Sequence, residues 1–231
     1  MSGRNRLPVV LLTAFAVGVL AAPAAGARKC PQRQILPEVS LTTNLGRIAY
    51  NNRKSRRQLG ALQGHQGSYS PTRTNNSKWH AIGLTQTELK FRMKISVNTL
   101  AVPGRGHCAN VAAVEAELGY GTINVYVDKR YRKGSCQYLS VLEHENEHVA
   151  IFRDALAIYT PKVERRLSNA AAELKTITAS TPDRAATRLQ KQLQRKMKPL
   201  FKEMNAVMDR KNASIDTAKN YRREQARCSS W

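Results

Sequence analysis

A chain of 231 residues suits one domain, or one domain with an appendage, rather than several. Its 38 lysines and arginines face only 16 aspartates and glutamates, and the resulting formal charge of +22 attracts lipid head groups, polyanions or nucleic acid. Aromatic content is 6%, and beyond the first 27 residues no segment is apolar enough to span a membrane, which excludes a helical span in the rest of the chain.

The N-terminus reads as a targeting segment. Arg4 and Arg6 form a basic n-region, Leu7 to Ala22 is apolar apart from the interruption at Pro8, and Ala25-Gly26-Ala27 is a small-residue cleavage site. Residues 1–27 are therefore expected to be a signal peptide, with Arg28 as the mature N-terminus and a periplasmic or secreted destination. A transmembrane anchor fits less well, because the run is short and ends in a cleavage pattern. Cleavage removes two arginines and no acid, so the mature charge is 22 − 2 = +20. Cys30, Cys108, Cys136 and Cys228 all lie in the exported part, and an even count in an oxidising compartment predicts two disulfides. Of the three pairings, Cys108–Cys136 with Cys30–Cys228 is the expected one. The first would tie the strands to the start of the following helix, and the second would join the chain ends. A four-cysteine zinc site lacks the usual Cys-x-x-Cys pair.

In chain order, residues 28–37 form a lead-in with Pro31 and Pro37, and β-like stretches follow at Val39-Ser40-Leu41 and Arg47 to Tyr50. Asn51 to Lys78 is polar and glycine-containing and reads as loop, its run Arg53-Lys54-Ser55-Arg56-Arg57 as solvated surface. Leu89, Phe91, Met93, Ile95 and Val97 alternate with Lys90, Arg92, Lys94 and Ser96, the pattern of a half-buried strand with a basic outer face. Cys108 to Leu118 is compatible with a strand or a short helix. Ile123, Val125 and Val127 mark another strand. From about Gln137 the period turns helical, with a stop or kink expected at Thr160-Pro161 and a second helical stretch from Pro161 to Thr178. Ser180-Thr181-Pro182-Asp183 signals a turn and a helix start. A last long helix follows on Leu189, Leu193, Met197, Leu200, Met204 and Val207, with a kink at Pro199. The fold class is therefore α+β: a small antiparallel sheet, a zinc-binding helix and a long C-terminal helical hairpin. Residues 28–231 form one domain, 38–128 mainly β and loops and 137–220 mainly α.

The chemistry concentrates in Glu143-His144-Glu145-Asn146-Glu147-His148-Val149. His144 and His148 are four residues apart, so on a helix both imidazoles share a face about one turn apart. Two neutral imidazoles so placed can meet one Zn²⁺, and Glu145 is placed to take a proton from a metal-activated water. Glu143 or Glu147 could orient a His ring, though each reads first as a surface acid. His80 and His107 read as ordinary surface or packing histidines.

His144-Glu145-x-x-His148 after a β-region resembles the zincin superfamily of metallopeptidases. Within it the chain is most similar to a family of secreted bacterial proteins classed as predicted zinc-dependent proteases. The similarity rests on Ser135-Cys136-x-Tyr138 leading into Leu142-x-His144-Glu145-x-x-His148, on the long helical region, and on a tail with Ile215-Asp216-Thr217, Glu224-Gln225-Ala226 and Trp231. The tail departs from the family pattern: Thr217 follows Asp216 directly, and Asn220-Tyr221 replaces a His-Gly pair. The resemblance implies a zincin fold and peptide hydrolysis.

A catalytic zinc needs a third protein ligand, and four acids compete. Asp154 lies where metzincin-type sites place theirs, but Ile151 stands where those sites break the helix with glycine. A continuing helix turns Asp154 about 240° away from His148. Glu164 and Glu173 fall nearer the thermolysin-like distance. Asp216 follows from a different argument: in an antiparallel helical hairpin centred near residue 181, position 216 faces position 146. Asp216 is the first choice, with Tyr221 conceivable as an oxyanion stabiliser through its nearness to Asp216.

The leading expectation is an exported zinc metallopeptidase acting on a peptide or protein. A non-catalytic basic protein binding an anionic envelope surface is the alternative, with nucleic acid disfavoured because no binding motif is recognisable. A zinc fold that has lost catalysis joins the two.

Overall fold

The computed structural model describes residues 30–32, 36–64 and 81–231. The signal-peptide segment, His80 and the later part of the expected 51–78 loop lie outside these residues. The α+β class holds, with two small sheets rather than one. The first contains β1 (Glu38–Asn44), β4 (Leu89–Val102), β5 (Gly106–Tyr120) and β7 (Ile177–Ala179). β5 pairs antiparallel with β4 and β7, and parallel with β1, where Leu41 faces Ala116. The second sheet has the order β2 (Ile48–Asn51), β6 (Ile123–Val127), β3 (Gly83–Gln86), parallel then antiparallel. The alanine-rich stretch is thus a strand: Ala109 and Val114 are buried in β5, the central strand of its sheet. The small side chains suit a strand that helices approach closely.

Part of the expected 51–78 loop is instead a helix, α1 (Arg56–Gly64). Ser55 and Gln58 form its capping box: the Ser55 N–H donates to Gln58 Oε1 at 2.9 Å, and the Gln58 N–H donates to Ser55 Oγ at 3.4 Å. Leu59 then anchors the helix with no exposed surface.

Two long helices cover the sheets. α2 spans Cys136–Ala172, capped by Ser135, which accepts the Tyr138 N–H at 3.2 Å. It passes through Pro161 without stopping. The proline removes one helical N–H, but Tyr159 and Val163 on either side are buried at 2% and 0% exposure, and this packing outweighs a penalty of about 3 kcal/mol. The helix ends at Ala172, so the expected second helical stretch to Thr178 is corrected: its last residues form β7 on the edge of β5. α3 spans Pro182–Ile215, with Thr181 as N-cap and Pro182 in the first turn, and runs on through Pro199. α4 (Ala218–Gln225) follows, capped by Thr217.

α2 and α3 form an antiparallel pair, as the hairpin argument expects. Contacts climb in a ladder: Lys196 with Glu173, Tyr159 with Glu203, His148 with Asn212, and His144 with Asp216. The core lies between this pair and the sheets, with Val114, Leu118 and Ile123 below and Phe152, Leu156, Leu193 and Met197 above.

The disulfide pairing differs from expectation. Cys30 bonds Cys108, and Cys136 bonds Cys228. Cys30 lies beside β7, its Sγ 3.1 Å from Thr178 Oγ1, while the C-terminal segment folds back onto the start of α2. The two ends sit against different elements, so neither expected bridge forms.

Candidate metal centre

His144 and His148 project from the middle of the first half of α2, and both are buried. Their rings lie 5.0 Å apart, nearly perpendicular. Asp216, the residue that ends α3, meets them from the opposite side. Its Oδ1 lies 3.1 Å from His144 Nε2 and 3.3 Å from His148 Nε2, and its side chain is 3% exposed. The hairpin delivers this acid to the helix face that carries the histidines. Asp216 leaves helical geometry at ψ 52°, which lets Thr217 start α4 and swing Tyr221 and Glu224 back toward the same point.

The far sides of the two rings are also held. His144 Nδ1 lies 3.1 Å from Glu224 Oε1, and His148 Nδ1 lies 2.8 Å from Asn212 Oδ1. Ser140 Oγ donates to the Glu224 carbonyl at 3.3 Å, tying α4 to α2. The Tyr221 hydroxyl donates to Asp216 Oδ1 at 2.6 Å. Glu145, also buried, lies on the side facing β3, where Thr85 Oγ1 donates to its Oε2 at 2.7 Å. A Cβ on Gly83 would collide with Glu145 Oε1 and stand 2.7 Å from Val141 Cγ1, so only glycine leaves room for that carboxylate.

The electrostatics follow from this crowding. Burial by itself depresses the His144 imidazole, but hydrogen bonds to Asp216 and Glu224 outweigh it and hold its pKa up at about 10. His148 is raised in the same way: burial opposes, Asp216 and Glu145 prevail. Burial alone would raise Asp216, yet the two imidazoles and Tyr221 keep it well below the usual carboxylate range. Burial pushes Glu145 up, against the pull of the two imidazoles and Thr85. Burial and the charge of Asp216 push the Tyr221 phenol far above neutral pH.

All four ring nitrogens face acceptor oxygens, an arrangement that favours the cationic form of both imidazoles. A divalent ion meeting two neutral imidazoles at Nε2 supplies the same positive charge. Nδ1–H then still donates to Glu224 and Asn212, the outer support that metal-ligating histidines ordinarily have. His144, His148 and Asp216 offer one ligand atom each, all within 4.8 Å of one another, and the group could hold a metal ion.

No family model, curated protein or solved structure matches this chain.

Of the four acids considered as third ligand, only Asp216 joins the histidines. Asp154, Glu164 and Glu173 are exposed on or just beyond α2. Glu173 is bound to Lys196 at 2.7 Å and lies roughly 40 Å along the helix from His144. Glu143 and Glu147 do not orient the rings. Both are exposed, and Glu143 pairs with Arg227. His107 sits in β5 opposite Ala179, outside the ligand group. Sequence reasoning missed Asn212, Glu224, Thr85 and Gly83. Asn212 carries a usable signal, four residues before Asp216 and therefore on its face of α3. Glu224 carries none, because its place depends on the chain reversal at Asp216-Thr217.

No helix among the described residues is long and apolar enough to cross a membrane, and the two disulfides are compatible with an extracellular setting.

Proposed function

We propose that this chain is an exported zinc-dependent metallopeptidase, with His144, His148 and Asp216 as metal ligands and Glu145 as general base. The observation that carries the reading is the convergence of two imidazole Nε2 atoms on one buried Asp216 oxygen, with a buried glutamate next in sequence to the first ligand. Two nitrogens and one carboxylate oxygen suit Zn²⁺ with one position left open. The resemblance of His144-Glu145-x-x-His148 to zincin sites supports the same assignment.

A zinc ion held by His144, His148 and Asp216 would supply Lewis acidity toward the scissile carbonyl and the attacking water. The remaining work belongs to the chain. Glu224 and Asn212 hold the imidazoles so that Nε2 of each faces Asp216. Thr85 occupies one oxygen of Glu145, and the other packs against Gly83, in the room that the missing side chain leaves for the carboxylate. As general base, Glu145 would take the proton of the attacking water and pass it to the departing amine. Tyr221 keeps its proton at working pH and donates a hydrogen bond to Asp216 Oδ1, which steadies that carboxylate as a ligand.

Metal content and peptide hydrolysis test this together. Wild type is expected to carry about one zinc per chain, lost in His144→Ala, His148→Ala and Asp216→Ala. Glu145→Gln is expected to retain zinc and lose hydrolysis. Zinc without turnover in the wild type would make the metal structural, and full turnover in Glu145→Gln would sink the mechanism.

A further inference from the structure

We propose that the outer face of α3 is a docking surface for an anionic lipid bilayer. The proposal goes beyond the peptidase reading and does not depend on it. Arg184, Arg188, Lys191, Arg195, Lys198 and Lys202 recur at intervals of four, three, four, three and four residues, which places all six within an arc of about 80° on the helix. Leu189, Leu193 and Met197, each with 0% exposure, lie on the opposite side. All six cations are exposed, and the row is about 27 Å long.

The row is of one sign. No aspartate or glutamate occurs between Arg184 and Lys202. None of the six has a carboxylate partner among the described residues. Lys196, the one further cation in the segment, points elsewhere, to Glu173 of α2. The contrast with β4 is direct. Its basic face is interleaved with acids, Arg92 in register with Glu117 and Lys94 with Glu115. A solvated helix face ordinarily mixes signs, as α2 does with Glu143, Glu147, Arg153, Asp154, Glu164 and Arg165.

The shape selects the partner. On α3 the row is flanked by the uncharged Thr187, Gln192, Gln194 and Pro199, so the helix presents one straight line of charge that suits a plane along its length, with Arg166 of α2 beside Lys196 as a neighbouring cation. No aromatic residue interrupts it to stack on bases, which argues against single-stranded nucleic acid. The large exposed apolar residues of the described chain all lie outside α3, so the contact is electrostatic apposition without insertion.

The test is co-sedimentation of the full, disulfide-bonded chain with vesicles of phosphatidylglycerol and phosphatidylethanolamine, beside pure phosphatidylcholine vesicles that account for the apolar N-terminal segment. Arg188→Gln/Lys191→Gln/Arg195→Gln/Lys198→Gln is compared with Lys90→Gln/Arg92→Gln/Lys94→Gln/Lys129→Gln, which removes the same charge elsewhere. Wild type is expected to bind the anionic vesicles and release in high salt. At roughly fivefold per charge near the surface, the α3 variant should bind more than a hundredfold more weakly, while the control loses less than about threefold because its charges lie farther off and are screened. Equal losses in both variants would overturn the proposal in favour of diffuse charge. So would absent binding by the wild type, or tighter binding to polyphosphate chains than to vesicles. The substituted side chains are exposed and Gln is a good helix former; because Arg188 also donates to the Thr178 carbonyl at 2.8 Å, Lys191→Gln/Arg195→Gln repeats the test if the fourfold variant melts early.

Discussion

Val163, Leu167, Leu189 and Leu193 fill the half of the α2–α3 pair nearest β7, and none exposes any surface. The other half of the same two helices buries His144, Glu145, His148 and Asn212, and takes Glu224 from α4. One half is held by apolar burial, worth about 25 cal/mol per Å² and indifferent to pH or metal. The other half concentrates three carboxylates and two imidazoles out of water, where each group depends on the next for its charge and its hydrogen bonds. A helix pair can carry a costly polar cluster at one end because the other end supplies the stability. The cluster should then respond to cations, protons and its disulfide, and the apolar half should not.

The largest effect expected is on the apolar side. Leu193→Ala should destabilise the protein by about 2–5 kcal/mol in denaturant unfolding, while the metal bound per folded chain stays unchanged. Loss of metal from the folded variant would show that the halves are not separable. Next come the disulfides. Replacing either pair with serines should cost about 2–4 kcal/mol, yet only Cys136→Ser/Cys228→Ser should also weaken metal affinity, because that bridge holds α4 with Tyr221 and Glu224 against α2. Cys30→Ser/Cys108→Ser is the matched control, and equal metal affinities in the two variants would refute the linkage.

A smaller change is expected from Glu224→Gln, which keeps the shape of the support for His144 but removes its charge. Metal affinity should fall about 10- to 100-fold by chelator competition, with little change in melting temperature. The last is a pH dependence that differs between two forms of one protein. The His144 pKa stands at about 10 against the ordinary 6.5 of a free imidazole, so its contribution is fully present below about pH 6.5 and is lost as pH rises toward 10. Chelator-treated protein should therefore melt at progressively lower temperature across that window. Metal-loaded protein should gain relative to it, because protons compete with the ion for the same nitrogens. Parallel melting curves for the two forms would remove the imidazoles from the account.

Much of the fold was legible because its signals are local. Alternation in Leu89–Val97 and Ile123–Val127 marked β4 and β6, and the periods of α2 and α3 marked both long helices. Pro161 misled, since a proline penalty is intrinsic to the residue whereas the packing of Tyr159 and Val163 is not. The capping box Ser55-Arg56-Arg57-Gln58 was a local signal passed over inside a polar stretch. Of the site, the shared face of His144 and His148 follows from four-residue spacing, and Asp216 follows from counting back along a hairpin.

What the chain determined by itself, then, is its periodicity: which residues share a helix face, which alternate across a strand, which cap a turn, and that one face of α3 is uniformly cationic. Tertiary structure alone decided the rest. The disulfide partners depend on where each chain end comes to lie, the parallel pairing of β1 with β5 spans more than 70 residues of sequence, and Glu224 reaches His144 only after two reversals of the chain. Local spacing fixes angles around one axis. Distances between elements are set by how their buried faces pack, and that information is spread across the whole core.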